Sequence, residues 1–224
     1  KKDVEKANEP LVGSFEGIGV TFQIFQDTIL VISPVSGGPS DKVGIMAGDK
    51  IVTIDGEDAV GKKVTNEYVA EHLRGKKGTK VLLGIKRGKS DELIEFEVVR
   101  DKIPLNSIDA AFMLDKNIGY IKLDRFAQTS MTEFEESLAK LKAQKMKSLV
   151  LDLRGNTGGY LNIAVELSNQ ILKNDMNIVY TEGDKSPKQI FKTDRNGKFT
   201  DGKLVVLIDE GSASASEIVS GAIQ

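Results

Sequence analysis

A chain of 224 residues with a net charge of -2 and no cysteine excludes several classes of function at once. It has no electrostatic pull toward nucleic acid or an anionic membrane, no disulfide framework, no thiol nucleophile and no cysteine-ligated metal site. With 40% hydrophobic residues it can bury the core of one or two domains, but no apolar run of about 20 residues is present to span a membrane, and the polar start "KKDVEKANEP" is not a signal peptide.

Residues 1–11 read as a polar arm stopped by Pro10. In "GIGVTFQIF" the residues Ile18, Val20, Phe22 and Ile24 share one face, the period of a half-buried strand. "TILVISP" is a second strand, followed by a Gly/Pro-rich turn, a short helical turn and the strand "KIVTID". "TNEYVAEHLRG" is a helix that stops at Gly75. "TKVLLGIKRG" and "ELIEFEVVRD" are strands joined as a hairpin at "GKSD". A boundary falls near residues 101–104, at Pro104, giving a first domain over 12–101 and a second over 102–224.

The second domain opens with the strand "NIGYIKLDRF" and the helix "SMTEFEESLAKLKAQKM", where Ser130 and Glu133 have capping-box spacing. "SLVLDL" is an apolar strand, "RGNTGG" a loop and "YLNIAVELSNQILKND" a helix. The strand "NIVYTE" and a hairpin or loop over "KSPKQIFKTDRNGKFTDG" precede the strand "KLVVLID" and the helix opened by "SEIVSGAIQ". Apolar strands alternating with helices argue for parallel pairing under crossover helices.

Three places could carry chemistry. The first is "EGSASAS", where a strand turns sharply into a helix. A serine at such a turn sits by the free N–H groups of a helix start, a geometry suited to a tetrahedral oxyanion. Gly211-Ser212-Ala213-Ser214-Ala215 is spaced like a nucleophile elbow, with Ala215 where the elbow usually has glycine. Ser214 and Glu217 equally fit a helix capping box. The single histidine, His72, lies in the helix of the first domain, so a Ser–His–Asp triad is not expected and a desolvated lysine is the better base. Lys203 stands at the wrong end of the strand that leads to the serines.

The second place is "DLRGNTGG", where Gly158 and Gly159 allow close backbone approach and could lend an N–H to an oxyanion hole. The same glycines could serve only the turn, with Asp152 and Arg154 in structural hydrogen bonds. The loop lacks the Gly-Lys-Ser/Thr of a phosphate-binding loop. The third place is a groove between the strand after "EGIG" and the helix at 65–74, open to an added peptide strand whose carboxylate the N–H groups of residues 17–20 could receive. No His/Asp/Glu cluster has metal-ligand spacing, and no cofactor is implied.

These segments resemble a known family. Residues 12–101, through "GIGV" and "SDKVGIMAGDKIVTIDG", are similar to a circularly permuted bacterial PDZ domain. Residues 117–224, through "GYIKLDRF", "LVLDLRGNTGG" and "LIDEGSASASEIVSGAIQ", resemble the core of the carboxyl-terminal processing (tail-specific) proteases. The resemblance implies a mixed α/β and α+β chain, a permuted PDZ domain on a crotonase-like core. It implies a serine endopeptidase with a Ser–Lys dyad acting on proteins with free C-terminal tails. Ser214 matches the nucleophile. Ala215 and one of the paired glycines, Gly159 in preference to Gly158, match the oxyanion hole. Ile18, Gly19 and Val20 match the tail-binding loop, and Arg74 matches a residue that relays occupancy. An extracytoplasmic location is implied too, with which the absence of cysteine is compatible; a homo-oligomer is left open.

One feature departs from the pattern. The family's general-base lysine lies roughly two dozen residues after the nucleophile, whereas this sequence runs 10 residues past Ser214. The expectation is a C-terminally incomplete core in which Ser214 is a poor nucleophile, with apolar surface near 204–224 exposed or paired. The alternative is a PDZ tail-binding scaffold that does not hydrolyse.

Overall fold

The alternation of "VTFQIF" is realised as a strand at the edge of an antiparallel sheet. In the computed structural model, which describes residues 11–90, 92–194 and 197–224, the chain divides into two compact units. Residues 14–104 form one, and residues 105–224 with residues 11–13 form the other. Ten residues of the expected arm, Asp91 of the expected "GKSD" hairpin, and Arg195 and Asn196 lie outside the described residues.

The first unit contains strands β1 (Ser14–Gly17), β2 (Val20–Phe25) and β3 (Thr28–Pro34), helix α1 (Pro39–Val43), and strands β4 (Lys50–Ile54) and β5 (Glu57–Asp58). Helix α2 (Asn66–Leu73) and strands β6 (Lys80–Lys86), β7 (Leu93–Val99) and β8 (Asp101–Pro104) complete it. The main sheet has the order β2-β3-β4-β6-β7, with β5 paired to β4. Its inward residues Ile29, Val31, Ile51, Leu83, Ile85 and Val98 pack with Val69 and Leu73 of α2 into one buried cluster, each such side chain contributing about 1.5–3 kcal/mol by leaving water. Thr65 caps α2 by accepting from Tyr68 N at 3.1 Å. β8 pairs antiparallel with β1, from Ser14↔Pro104 to Gly17↔Asp101, so the unit closes at Pro104.

The second unit contains β9 (Ile108–Asp115), β10 (Ile118–Leu123), α3 (Ser130–Ala143), β11 (Ser148–Asp152) and α4 (Leu161–Ile171). It continues through β12 (Asn177–Gly183), β13 (Ser186–Lys192), β14 (Lys203–Leu207) and α5 (Ala215–Ile223). The sheet order is β14-β11-β10-β9. β10, β11 and β14 are parallel neighbours, as the apolar strands imply, whereas "NIVYTE" (β12) pairs antiparallel with β13, so the hairpin starts one strand earlier than the sequence suggests. β9 is an antiparallel edge strand that the polar-spaced segment "IDAAFMLD" did not announce. Phe134, Leu138 and Leu141 of α3 recur at helical spacing and pack with Ile121, Leu149, Leu151, Ile163 and Leu167 in the core.

The capping box expected of Ser130 and Glu133 does not form. Glu133 Oε2 instead accepts from the N–H groups of Ser107 and Ile108 at 2.7 and 2.9 Å, and Ser130 Oγ accepts from Ala127 N at 2.7 Å. The start of β9 brings two unpaired donors to the helix end, and a carboxylate bonded to two donors is better satisfied than one closing a local box.

Candidate active site and peptide groove

Parallel strands end on the same side of a sheet, and loops that leave those ends can share a site. β11 and β14 run in register to Asp152↔Leu207. The loop after β11, "LRGNTGG", and the turn after β14, "IDEGSAS", therefore emerge side by side. Backbone and side-chain bonds lace them together. Leu153 N donates to Leu207 O at 2.8 Å. Gly155 N donates to Asp209 Oδ1 at 2.8 Å, and Ser212 Oγ donates to Leu153 O at 2.8 Å. The Gly155 N–H, with those of Gly211 and the Ser212 hydroxyl, holds the Asp209 carboxyl below its usual range.

The three serines of "SASAS" have different surroundings. Ser212 is bonded to Leu153 O and accepts from Asp209 N at 3.0 Å. Ser216 is fully buried and donates to Asn156 O at 2.8 Å. Ser214 is exposed and stands at the N-cap of α5 with φ 54° and ψ −113°. That backbone conformation is sparsely populated for a residue with a Cβ and costs about 1–3 kcal/mol. It is held by Glu217 Oε2, which accepts from Ser214 N at 2.7 Å, and by Ile218 N donating to Ser214 O at 3.0 Å. Ala215 is the first residue of α5, and the first N–H groups of a helix have no partner within it.

The paired glycines lie against this turn. Gly158 and Gly159 have φ of 104° and 146°. An added Cβ on Gly158 would come within 3.0 Å of Ala215 N, and one on Gly159 would strike the Phe126 carbonyl. The Gly158 N–H is committed to Asn156 Oδ1 at 2.8 Å, so it has no donor to offer an oxyanion. Phe126 N donates to Gly158 O at 2.9 Å. In a trans peptide the C=O and N–H point in opposite directions, so the Gly159 N–H is directed away from Phe126.

Asp152 and Arg154 are occupied with one another. The fully buried Asp152 carboxylate takes Arg154 Nη2 at 2.6 Å and the Tyr120 hydroxyl at 2.6 Å. The guanidinium above all, then the phenol, keep this carboxyl far below the usual range against the opposing effect of burial. Burial and the same bond raise the Tyr120 hydroxyl. Asn156, which the sequence did not single out, makes bonds to three segments here. Its only sequence signal is an amide side chain inside a glycine-rich loop, where Asn tends to bond nearby backbone.

In the first unit, β2 is the free edge of its sheet and faces α2 across a cavity of about 320 Å³. Val20 and Phe22 of β2 and Val69, Leu73 and Asn66 of α2 line it, together with Ile18, Gly19 and Arg74. Ile18 O accepts from Ser40 N at 3.0 Å, and Gly19 O accepts from Val35 N at 2.9 Å. By the same trans-peptide geometry the N–H groups of Gly19 and Val20 point the opposite way. Gly19 has φ 73°, and a Cβ there would stand 2.9 Å from Ile103 Cδ1. Arg74, the C-cap of α2, lies with its guanidinium 4.8 Å from the Phe15 ring centre. His72 stacks on Tyr68 with ring centres 4.0 Å apart, its Nδ1 2.8 Å from Tyr68 O. Among the described residues no group of three or more His, Asp or Glu could hold a metal ion, and no helix is long and apolar enough to cross a membrane.

The model of peptidase family S41 matches residues 117–224, and a PDZ-domain model matches residues 17–98. The carboxy-terminal processing protease CtpA of Bacillus subtilis (strain 168) is 35% identical over 100% of this chain and 47% of its own length. A carboxy-terminal-processing protease of Bartonella bacilliformis is 36% identical over 99% of this chain and 52% of its own. The chain thus spans about half the length of the curated relatives it matches. A solved Bacteroides fragilis structure assigned to the S41 proteases shares the fold, with a TM-score of 0.54 and 17% identity over 97% of this chain and 65% of that one.

Proposed function

We propose that this chain, whose residues 117–224 match the model of peptidase family S41 and whose residues 17–98 match a PDZ-domain model, carries the tail-binding groove and the nucleophile of a carboxyl-terminal processing serine endopeptidase. Ser214 is the nucleophile in this reading. The observation that carries it is the contrast within "SASAS": the outer two serines donate to backbone carbonyls, while Ser214, which forms the expected capping box with Glu217, is exposed, strained at φ 54° and placed at a helix start beside Gly158.

The chemistry follows from these positions. Ser214 Oγ attacks the scissile carbonyl as a lysine base takes its proton, and the N–H groups of Ala215 and Gly159 stabilise the oxyanion. The lysine then protonates the departing amine, and water, deprotonated by the same base, releases the acyl group from Ser214. Family resemblance assigns that base to a lysine roughly two dozen residues after the nucleophile, so residues 1–224 by themselves are expected to bind tails without cleaving them. An extended C-terminal tail adds to β2, its carboxylate on the N–H groups near Ile18, Gly19 and Val20 and its apolar last side chain against Phe22, Val69 and Leu73. Arg74, at the C-cap of α2, is the residue through which occupancy is relayed. An extracytoplasmic setting belongs to the same reading.

The test is a Ser214→Ala variant of the full-length protein, assayed with a tailed unfolded substrate. Cleavage should vanish and tail-peptide affinity should stay as in the parent. Cleavage that persists removes Ser214 from the mechanism.

A further inference from the structure

Two adjacent glycines can turn their shared peptide planes at small cost, since neither carries a Cβ. Something outside the pair must decide which N–H faces the reacting centre. Phe126 N, donating to Gly158 O, orients the plane that carries the Gly159 N–H, and the fully buried side chain of Asn156 holds the plane that carries the Gly158 N–H. Its Oδ1 accepts from Gly158 N at 2.8 Å, and its Nδ2 donates to Leu123 O, the end of β10, at 2.8 Å. Its backbone carbonyl accepts from Ala213 N at 3.1 Å and from the Ser216 hydroxyl at 2.8 Å. Its own N–H donates to Leu153 O at 3.1 Å. One residue therefore ties the end of β10, the glycine loop and both flanks of Ser214 together.

We propose that Asn156 is a positioning residue that sequesters the Gly158 N–H and so fixes Gly159 as the glycine donor of the oxyanion hole. This rests on the reading of Ser214 as nucleophile. The demand on the side chain is specific. One end must accept from an amide and the other must donate to a carbonyl, which Asn does in a single orientation. Ala does neither. An ionised Asp accepts from Gly158 but opposes Leu123 O, whereas a protonated Asp reproduces both bonds. None of the hydrogen-bond partners of Asn156, namely Leu123 O, Leu153 O, Gly158 N, Ala213 N and Ser216 Oγ, titrates.

The experiment uses the full-length protein and begins with Ser214→Ala. If that variant still cleaves, the nucleophile reading is what has failed. If it does not cleave, kcat and KM of Asn156→Ala and Asn156→Asp are measured against the parent from acid to alkaline pH, with folding of both units followed by thermal unfolding. Asn156→Ala should lower kcat by about 100-fold, the order of loss for one oxyanion donor, with KM changed by less than about twofold. For Asn156→Asp the ratio of kcat to that of the parent should climb as pH falls and the introduced carboxyl protonates, a response that a mere packing role would not produce. A folded Asn156→Ala protein with kcat within about twofold of the parent overturns the proposal. So does an Asn156→Asp ratio flat across pH, or an Asn156→Asp protein that folds only in acid and regains no activity there.

Discussion

A methyl group placed on Gly158 would stand 2.8 Å from the Cβ of Ser214. The glycine loop and the serine turn, far apart in sequence, therefore share a van der Waals surface. The absence of a side chain at Gly158 is what allows Ser214 its position.

The paired glycines should fail in different ways when substituted. Gly158→Ala, at φ 104° and against Ser214, should displace the serine turn and remove cleavage in the full-length protein while tail binding persists. Gly159→Ala would drive a Cβ into the Phe126 carbonyl at φ 146° and should cost about 3 kcal/mol or more of stability. Thermal unfolding of the two variants checks the order: Gly159→Ala should melt well below Gly158→Ala.

Stability should separate the three serines. Ser216→Ala removes the buried donor to Asn156 O and should cost about 1 kcal/mol. Ser214→Gly removes the strain at φ 54° and should stabilise by about 1 kcal/mol, the relief of strain less the added chain entropy of glycine. Denaturant midpoints of this chain decide the matter, and a Ser214→Gly variant less stable than its parent would contradict the strain argument.

The Asp152 carboxyl is depressed in the folded state from an ordinary 3.8. Its contribution to stability is fully present above that ordinary value. It is lost as pH falls through the depressed one, because the unfolded chain takes up the proton first. Asp152→Asn should lower stability at neutral pH by about 1.5–3 kcal/mol and flatten the acid limb of the stability profile. An acid limb identical to that of the parent would show that Asp152 does not govern it.

The groove should report on both ends of a tail. Amidating the carboxylate of a bound peptide should weaken binding about 10- to 100-fold, the loss of hydrogen bonds to a charged group. Phe22→Ala, which strips one wall of the cavity, should weaken it about tenfold. Calorimetric titration of this chain measures both. Equal affinity for free and amidated peptides would remove the N–H groups of Gly19 and Val20 from recognition.

Much of the fold was legible because its signals are local. The period of "VTFQIF", the helical spacing of Phe134, Leu138 and Leu141, and the apolar run "SLVLDL" need only neighbours in sequence to be read. β9 was missed because an edge strand covered on one face carries a weak pattern, with Phe112 and Leu114 left about half exposed at 49% and 52%. The Glu133 box was misread because its competitor, the N–H pair of Ser107 and Ile108, arrives from another element. Residues 101–104 look like a boundary by composition, and only pairing with β1 makes them part of the first unit.

By itself the sequence determined the order of most elements and the two loops worth watching, "DLRGNTGG" and "EGSASAS". It left Ser214 between a cap and a nucleophile, because S-x-x-E spacing fits either. Tertiary structure separated the serines. The parallel register of β11 with β14 brings the two loops to one edge, and there Ser212 and Ser216 find carbonyls while Ser214 is held at φ 54° in the open. The choice between Gly158 and Gly159 also depends on contacts no local rule encodes. In the reading proposed above it is made by Phe126 N, which holds Gly158 O, and by a buried amide, Asn156, whose partners come from β10, the glycine loop and the serine turn together.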